Sequence, residues 1–189
     1  MIGRVRTARH PVAVRLPALA ALTGLATLVL GGCDADLNQT DDHDAQPDVV
    51  RAGLVDLYAG DATDPAPADV LAEGGCFADA LLDAVSLDEL VAAEVVDDKG
   101  QVVETLPVLD VDVAGAWVDA FTGCVDYRVA AARGAGLAGD LDAAAFLRCL
   151  DAAVPPGDVP AALVDTLTGR SDSAAATALL DAQDRCATA

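Results

Sequence analysis

The stretch DVAGAWVDAFTGCV, residues 112–125, indicates the fold class. Its apolar residues recur every three or four positions, which places them on one face of an α-helix. That face comprises Val113, Trp117, Ala120, Phe121, Cys124 and Val125. Asp112 is predicted to cap the helix, because a short carboxylate can accept hydrogen bonds from the first free backbone N–H groups. The stretch therefore predicts an amphipathic helix whose two aromatic residues belong to a core.

The same periodicity continues on both sides of this stretch, interrupted by Gly and Pro. Helices are predicted at 49–59, 68–85, 87–96, 112–125, from 140, from 158 to 169, and from near 171. Ser86 and Glu89 form a capping box at the third helix. Residues 101–106 could be a short extended piece, and Gly134, Gly136 and Gly139 are interpreted as a flexible connector. We therefore expect an all-α protein, a small bundle of about six to seven short helices.

The first 32 residues have the order of an export signal. Four arginines (Arg4, Arg6, Arg9, Arg15) precede an uncharged apolar run at 16–30. The run has fifteen residues, fewer than the ~20 that cross a bilayer as a helix. An export signal is therefore favoured over a membrane-spanning anchor.

The apolar run ends in Leu30-Gly31-Gly32-Cys33, which resembles a bacterial lipobox. The resemblance implies cleavage after Gly32, so that residues 1–32 are a lipoprotein signal peptide, and lipid attachment at Cys33. An ordinary secretory signal with Cys33 placed by chance is the alternative. Two acyl chains anchor far more firmly than one, so the chain is expected at the outer face of the cytoplasmic membrane. Its Ala- and Asp-rich composition is typical of an actinobacterium.

Residues 33–47 are predicted to form an acidic, disordered tether. The segment contains five aspartates and one large apolar residue, Leu37, and therefore buries too little surface to offset the entropy of ordering. His43 is interpreted as a solvated residue of this tether. Residues 48–189 then form the helical domain.

With Cys33 assigned to lipid, four cysteines remain: Cys76, Cys124, Cys149 and Cys186. An even number outside the cytoplasm predicts two disulfides. All four lie on apolar helix faces, where bridges would cross-link helices through the core.

Residues 68–133 and 140–187 follow the same order of cysteine helix, break, helix, break and cysteine helix. This order indicates a duplicated helical unit. The spacings of 48 and 37 residues put about eleven extra residues in the first unit, near 102–111. We favour the pairs Cys76–Cys124 and Cys149–Cys186, with Cys124–Cys149 as the main rival. From about Glu73 onward the pattern is similar to small actinobacterial lipoproteins and secreted proteins of uncharacterised function, and the likeness transfers no functional residue.

Charge excludes several kinds of partner. The net charge is −20, and removal of residues 1–32 takes away four arginines and no acid, which moves it to −24. Such a chain is a poor ligand for nucleic acid, whose phosphates require clustered Lys and Arg. Anionic lipid headgroups are disfavoured for the same reason. Cations or basic partners are compatible with it.

Catalytic and metal motifs are not predicted. The two histidines are His10, in the signal, and His43, in the tether, which argues against a histidine-dependent triad or zinc site. The calcium-loop opening at 34–38 fails at Gln39 and Ala45, and the pattern at Asp110-Val111-Asp112 with Gly115 fails similarly. No catalytic residue, metal ligand or cofactor is therefore predicted.

The carboxylate pairs Asp110 with Asp112 and Asp140 with Asp142 are expected by chance among 31 acids. Asp112 and Asp140 are assigned as helix caps. The serines at predicted helix starts, Ser86, Ser171 and Ser173, are assigned as caps as well, which argues against a hydrolase nucleophile.

These observations predict a non-enzymatic envelope lipoprotein that binds an envelope protein or has a structural role. A carrier of a small apolar ligand or lipid, with a cavity between the helical units, is the alternative. A cation-responsive acidic surface is a third hypothesis.

Overall fold

The computed structural model describes residues 46–60, 66–137 and 141–188, which all belong to one compact part of the chain. The predictions for the signal peptide, for Cys33, for most of the tether with His43, and for Gly139 and Asp140 fall outside these residues. The described part contains eight α-helices, one 3-10 turn at Pro156–Asp158 and no β-strand, which confirms the all-α prediction. The helices are α1 Pro47–Ala59, α2 Ala68–Ala84, α3 Leu87–Ala92, α4 Val111–Cys124, α5 Tyr127–Leu137, α6 Ala143–Ala153, α7 Val159–Leu167 and α8 Ala174–Ala187.

Several helices begin at side-chain caps. The predicted box at α3 is present: Glu89 N–H donates to Ser86 Oγ (3.3 Å) and Ser86 N–H donates to Glu89 Oε2 (2.9 Å). At α8 the cap is Ser173, whose Oγ accepts the Ala176 N–H. Ser173 was one of two serines predicted there, and the assignment of Ser171 as a cap is wrong.

Aspartates cap both α4 and α6, and the cap of α4 lies two residues before the one that was predicted. At α4 the cap is Asp110, whose Oδ1 accepts the N–H groups of Asp112 (2.9 Å) and Val113 (3.0 Å). At α6 the cap is Asp142, and the predicted cap Asp140 lies outside the described residues. A cap residue must be extended so that its side chain reaches back to the first turn, and Asp110 is extended whereas Asp112 is already helical. The assignment of Asp112 as the cap is wrong for this reason.

α3 ends four residues before the predicted Val96. Glu94 adopts a left-handed conformation, φ 58°, and Val95 N–H donates back to the Leu90 carbonyl (3.0 Å). Together these close the helix. The extended piece expected at 101–106 is reduced to one isolated antiparallel bridge, Val96 with Val102.

α5 is the helix that the sequence pattern missed. Gly134 and Gly136, predicted to belong to a flexible connector, lie within it, so that prediction is wrong. Asp126 caps the helix by accepting the Arg128 N–H (2.9 Å). The alanines of 130–132 add no propensity cost of their own, and the packing of α5 on α6 offsets the ~1 kcal/mol cost of each glycine.

The buried side chains form two clusters. The first is built from α1 to α4 and the segment between α3 and α4, and its largest fully buried members are Phe77, Leu54, Leu81 and Leu90. The second is built from α5 to α8 around Phe146 and Leu150. Val164 and Leu167 of α7 also pack against the first cluster and join the two.

Both halves bury the same positions relative to their cysteines. One and five residues after the first cysteine, the buried residues are Phe77 and Leu81 in one half and Leu150 and Val154 in the other. Four, seven and ten residues before the second cysteine they are Ala120, Trp117 and Ala114, and Ala182, Leu179 and Ala176. Because α1 packs on α2 as α5 packs on α6, we define unit 1 as α1–α4 and unit 2 as α5–α8. These units differ from the predicted spans 68–133 and 140–187 by including α1 in the first and α5 in the second.

Each unit contains one disulfide. Cys76–Cys124 joins α2 to α4, with Cα atoms 5.7 Å apart, and Cys149–Cys186 joins α6 to α8, with Cα atoms 5.5 Å apart. The favoured pairing is confirmed and the Cys124–Cys149 rival is excluded. The expectation that both bridges cross the core is wrong for the first, because Cys76 is exposed and Cys124 only half-buried.

Candidate functional site

A cleft of about 370 Å³ lies where unit 1 meets α5 of unit 2. Its volume falls within the range of small-molecule sites. The lining is mostly apolar and comes from both units: Tyr58, Ala59, Pro67, Val70, Phe121, Ala130, Arg133, Gly134 and Leu137.

Two members of an aromatic cluster, Tyr58 and Phe121, lie in the unit 1 wall of this cleft. The Tyr58 ring centroid lies 6.3 Å from those of both Phe77 and Phe121, and Phe77 packs edge-on against Trp117 at 5.0 Å. Gly74 makes this placement possible, since a Cβ there would sit 3.0 Å from the Tyr58 ring. A side chain at position 74 would therefore push Tyr58 off α2.

Small residues on α5 leave the opposite wall open. Ala130 and Gly134 lie one helical turn apart and both line the cleft. No heavy atom lies within 4 Å of the position that a Cβ on Gly134 would occupy. The free volume at this wall thus follows from a residue without a side chain.

An ion pair with a tyrosine lies at one side of the cleft. Arg133 Nη1 and Nη2 donate to Glu73 Oε2 (2.7 Å) and Oε1 (3.0 Å), and the Tyr58 hydroxyl donates to Glu73 Oε2 at 2.6 Å. Asp69 stands 3.8 Å from Arg133. Helices α1, α2 and α5 are therefore joined through one carboxylate.

Tyr58, Glu73 and Arg133 hold one another in their usual protonation states. The hydrogen bond from Arg133 keeps the pKa of Glu73 below its ordinary value, and the same contact raises the pKa of Arg133. Burial, followed by the bond to Glu73, raises the pKa of Tyr58 to about 12. At neutral pH the cleft therefore presents a neutral phenol and a compensated ion pair beside apolar walls. This arrangement is suited to binding an apolar molecule rather than to proton transfer.

The residues singled out in the sequence lie mostly elsewhere. Phe121 lines the cleft. Cys124 lines a separate pocket of about 350 Å³ at the turn between α4 and α5, beside Tyr127 and Pro156. Asp110, Ser86 and Ser173 act as caps.

Sequence reasoning missed Tyr58, Glu73 and Arg133. The available signal was the scarcity of arginine among so many acids, because an arginine in such a chain is a strong candidate for a specific ion pair. The partner could not be identified, since Glu73 and Arg133 are 60 residues apart and α5 was not predicted.

Across residues 46–60, 66–137 and 141–188, no group of three or more His, Cys, Asp or Glu side chains is arranged to hold a metal ion. In the same part of the chain, no helix is both long and apolar enough to span a membrane.

Comparisons with protein-family models, with curated proteins and with solved structures find no match to this chain.

Proposed function

We propose that the protein is a non-enzymatic lipoprotein of the cell envelope that holds a small apolar ligand in the cleft between its two helical units. The single observation that supports this proposal is the mostly apolar cleft of about 370 Å³ to which both units contribute. The two disulfides are compatible with an oxidising compartment. In this proposal Cys33 carries the lipid, and the ligand is taken up outside the cytoplasmic membrane.

The ligand is expected to be apolar over most of its surface. Val70, Phe121 and Leu137 offer it only hydrocarbon, and the neighbouring charges of Glu73 and Arg133 already satisfy each other. A ligand with its own charge would lose hydration without gaining an unpaired counter-ion. A neutral fatty alcohol or ester is thus favoured over a free fatty acid.

A cleft-filling substitution tests this proposal. The probe is decanol, with decanoate for comparison, added to the chain from residue 34 onward, and the readout is the midpoint of thermal unfolding. A ligand that binds only the folded form raises the midpoint. Gly134→Leu fills the cleft with a side chain and should abolish the shift.

Gly115→Leu is the matched control. Gly115 lies within α4, a Cβ there would also meet open space, and it lines none of the cleft. Both substitutions replace a helical glycine and should raise stability by up to about 1 kcal/mol without ligand. Equal shifts in both variants, or no shift in the wild type, would show that the cleft is not the binding site.

A further inference from the structure

The connection between the third and fourth helices of a unit differs greatly in length between the two units. In unit 2, α7 joins α8 through residues 168–173, whereas in unit 1, α3 joins α4 through residues 93–110. Six residues are thus enough to make this connection in unit 2, whereas the connection in unit 1 has eighteen. Insertions in repeated units often form the binding face.

The longer connection forms a groove against α3, with a volume of about 490 Å³. Its lining combines apolar side chains, which we call the floor residues, with carboxylates, which we call the rim residues. The floor residues are Val91, Val96, Val103 and Pro107, with Thr105 beside them, and the rim residues are Glu94, Asp97 and Asp98.

The rim carboxylates carry more negative charge than the one nearby lysine, Lys99, can compensate. Among the described residues, none of the three rim carboxylates forms an ion pair. Asp97 accepts the backbone N–H groups of Lys99 (2.9 Å) and Gln101 (2.8 Å), which fixes its position. The connection as a whole holds five acids and one lysine, so its potential is negative.

The groove is also held rigidly. Val95, Val96 and Leu109 are buried in the first core cluster. Leu109 N–H donates to the Leu167 carbonyl at 2.9 Å, and Val103 N–H to the Val95 carbonyl at 3.0 Å. A partner would therefore meet a surface already in place, which lowers the entropic cost of binding.

We propose that this groove docks a short segment of a partner protein in which basic residues stand next to apolar ones. Apolar side chains of that segment would cover Val91 and Pro107 while its Lys or Arg side chains pair with Glu94 and Asp98. Charge complementarity decides the occupant, because a second copy of this chain would bring its own carboxylates against the rim. This site is separate from the cleft between the units and does not depend on it.

The test uses the full chain in a neutral detergent and a hexapeptide of alternating Lys and Val as the probe. Binding is followed by calorimetry at low and high salt. We expect the wild type to bind the peptide, with an affinity that falls as salt rises. Peptides with Lys replaced by Glu, or Val replaced by Ser, should bind at least tenfold more weakly.

Paired variants locate the site. Glu94→Gln with Asp98→Asn should weaken binding about tenfold, whereas Asp181→Asn with Asp184→Asn removes the same charge from α8 and should change it less than twofold. Val91→Ser should weaken binding severalfold, while Val129→Ser, a valine of similar exposure (40% against 42%) on α5, should not.

Three results would overturn the proposal. The first is no binding by the wild type. The second is equal weakening by the groove and α8 variants, which would indicate a general effect of charge. The third is a dimer in sedimentation that Val91→Ser dissociates, which would make a second copy the occupant.

Discussion

Arg133 on α5 and Glu73 on α2 form a two-point ion pair that crosses from unit 2 to unit 1, with N–O distances of 2.7 and 3.0 Å. Within the described residues, Arg133 is the only side chain whose ion pairs join the two units. Its two partners are Glu73 and, at 3.8 Å, Asp69. Elsewhere the units are joined by apolar packing of α7 against the first core cluster and by a backbone hydrogen bond that the Leu109 N–H donates to the Leu167 carbonyl.

Glu73→Gln is expected to lower the free energy of unfolding by about 1 to 2 kcal/mol at neutral pH. Glu73 and Arg133 retain about a quarter of their exposure (25% and 26%), so the loss should lie between that of an exposed pair and the roughly 3–5 kcal/mol of a fully buried one. Urea unfolding measures it. A double-mutant cycle with Arg133→Met should give a coupling of similar size, and additive losses would show that the pair contributes nothing.

The stability difference between the wild type and Glu73→Gln should depend on pH in one direction. Hydrogen bonding from Arg133 lowers the pKa of Glu73 in the folded state below the ordinary 4.5. The unfolded chain therefore binds this proton more readily than the folded protein does. The contribution of Glu73 to stability is fully present above pH 4.5 and is lost as the pH falls through the pKa of Glu73 in the folded state. Thermal midpoints of both proteins between pH 7 and pH 3 should converge. If the difference between the two midpoints stayed constant over this pH range, Glu73 would act through packing alone.

The two disulfides should contribute comparable stability but differ in accessibility. They close loops of 48 and 37 residues, and loop-closure entropy gives about 4 kcal/mol for each. Replacing either pair by serine should cost close to that amount in chemical denaturation. A small thiol reductant should open Cys76–Cys124 first, because Cys76 is exposed while Cys186 is 5% exposed. Mass spectrometry of alkylated peptides would show the order, and earlier alkylation of Cys149 and Cys186 would contradict it.

The helical class and the disulfide pairing were accessible from the sequence because both depend on local periodicity and on the order of cysteines. The apolar stripe of 112–125 identified α4, and the repeated order of helices favoured Cys76–Cys124 and Cys149–Cys186. α5 was missed because Gly134 and Gly136 suggested a break, whereas a cap at Asp126 and the packing of α5 on α6 maintain the helix.

The cleft could not be predicted because its residues come together only through packing between units. Tyr58 lies over Gly74 because α1 approaches α2 closely, and periodicity does not encode that distance. The open wall depends on Gly134, whose place in a helix was not predicted. The predicted cap of α4, Asp112, was wrong by two residues for a related reason. Several aspartates near the start of α4 could cap it, and only the backbone geometry selects Asp110.

Glu94→Gly is expected to stabilise the protein by about 1 kcal/mol. Glu94 has φ 58° at the end of α3, a conformation that costs a residue with a Cβ about 1–2 kcal/mol and glycine almost nothing. Glu94→Ala is the control, since it removes the same charge but keeps the Cβ, and its stability should stay close to that of the wild type. Urea unfolding of the three proteins measures the difference. If alanine stabilised as much as glycine, repulsion among Glu94, Asp97 and Asp98 would be the cause, and backbone strain at position 94 would be negligible.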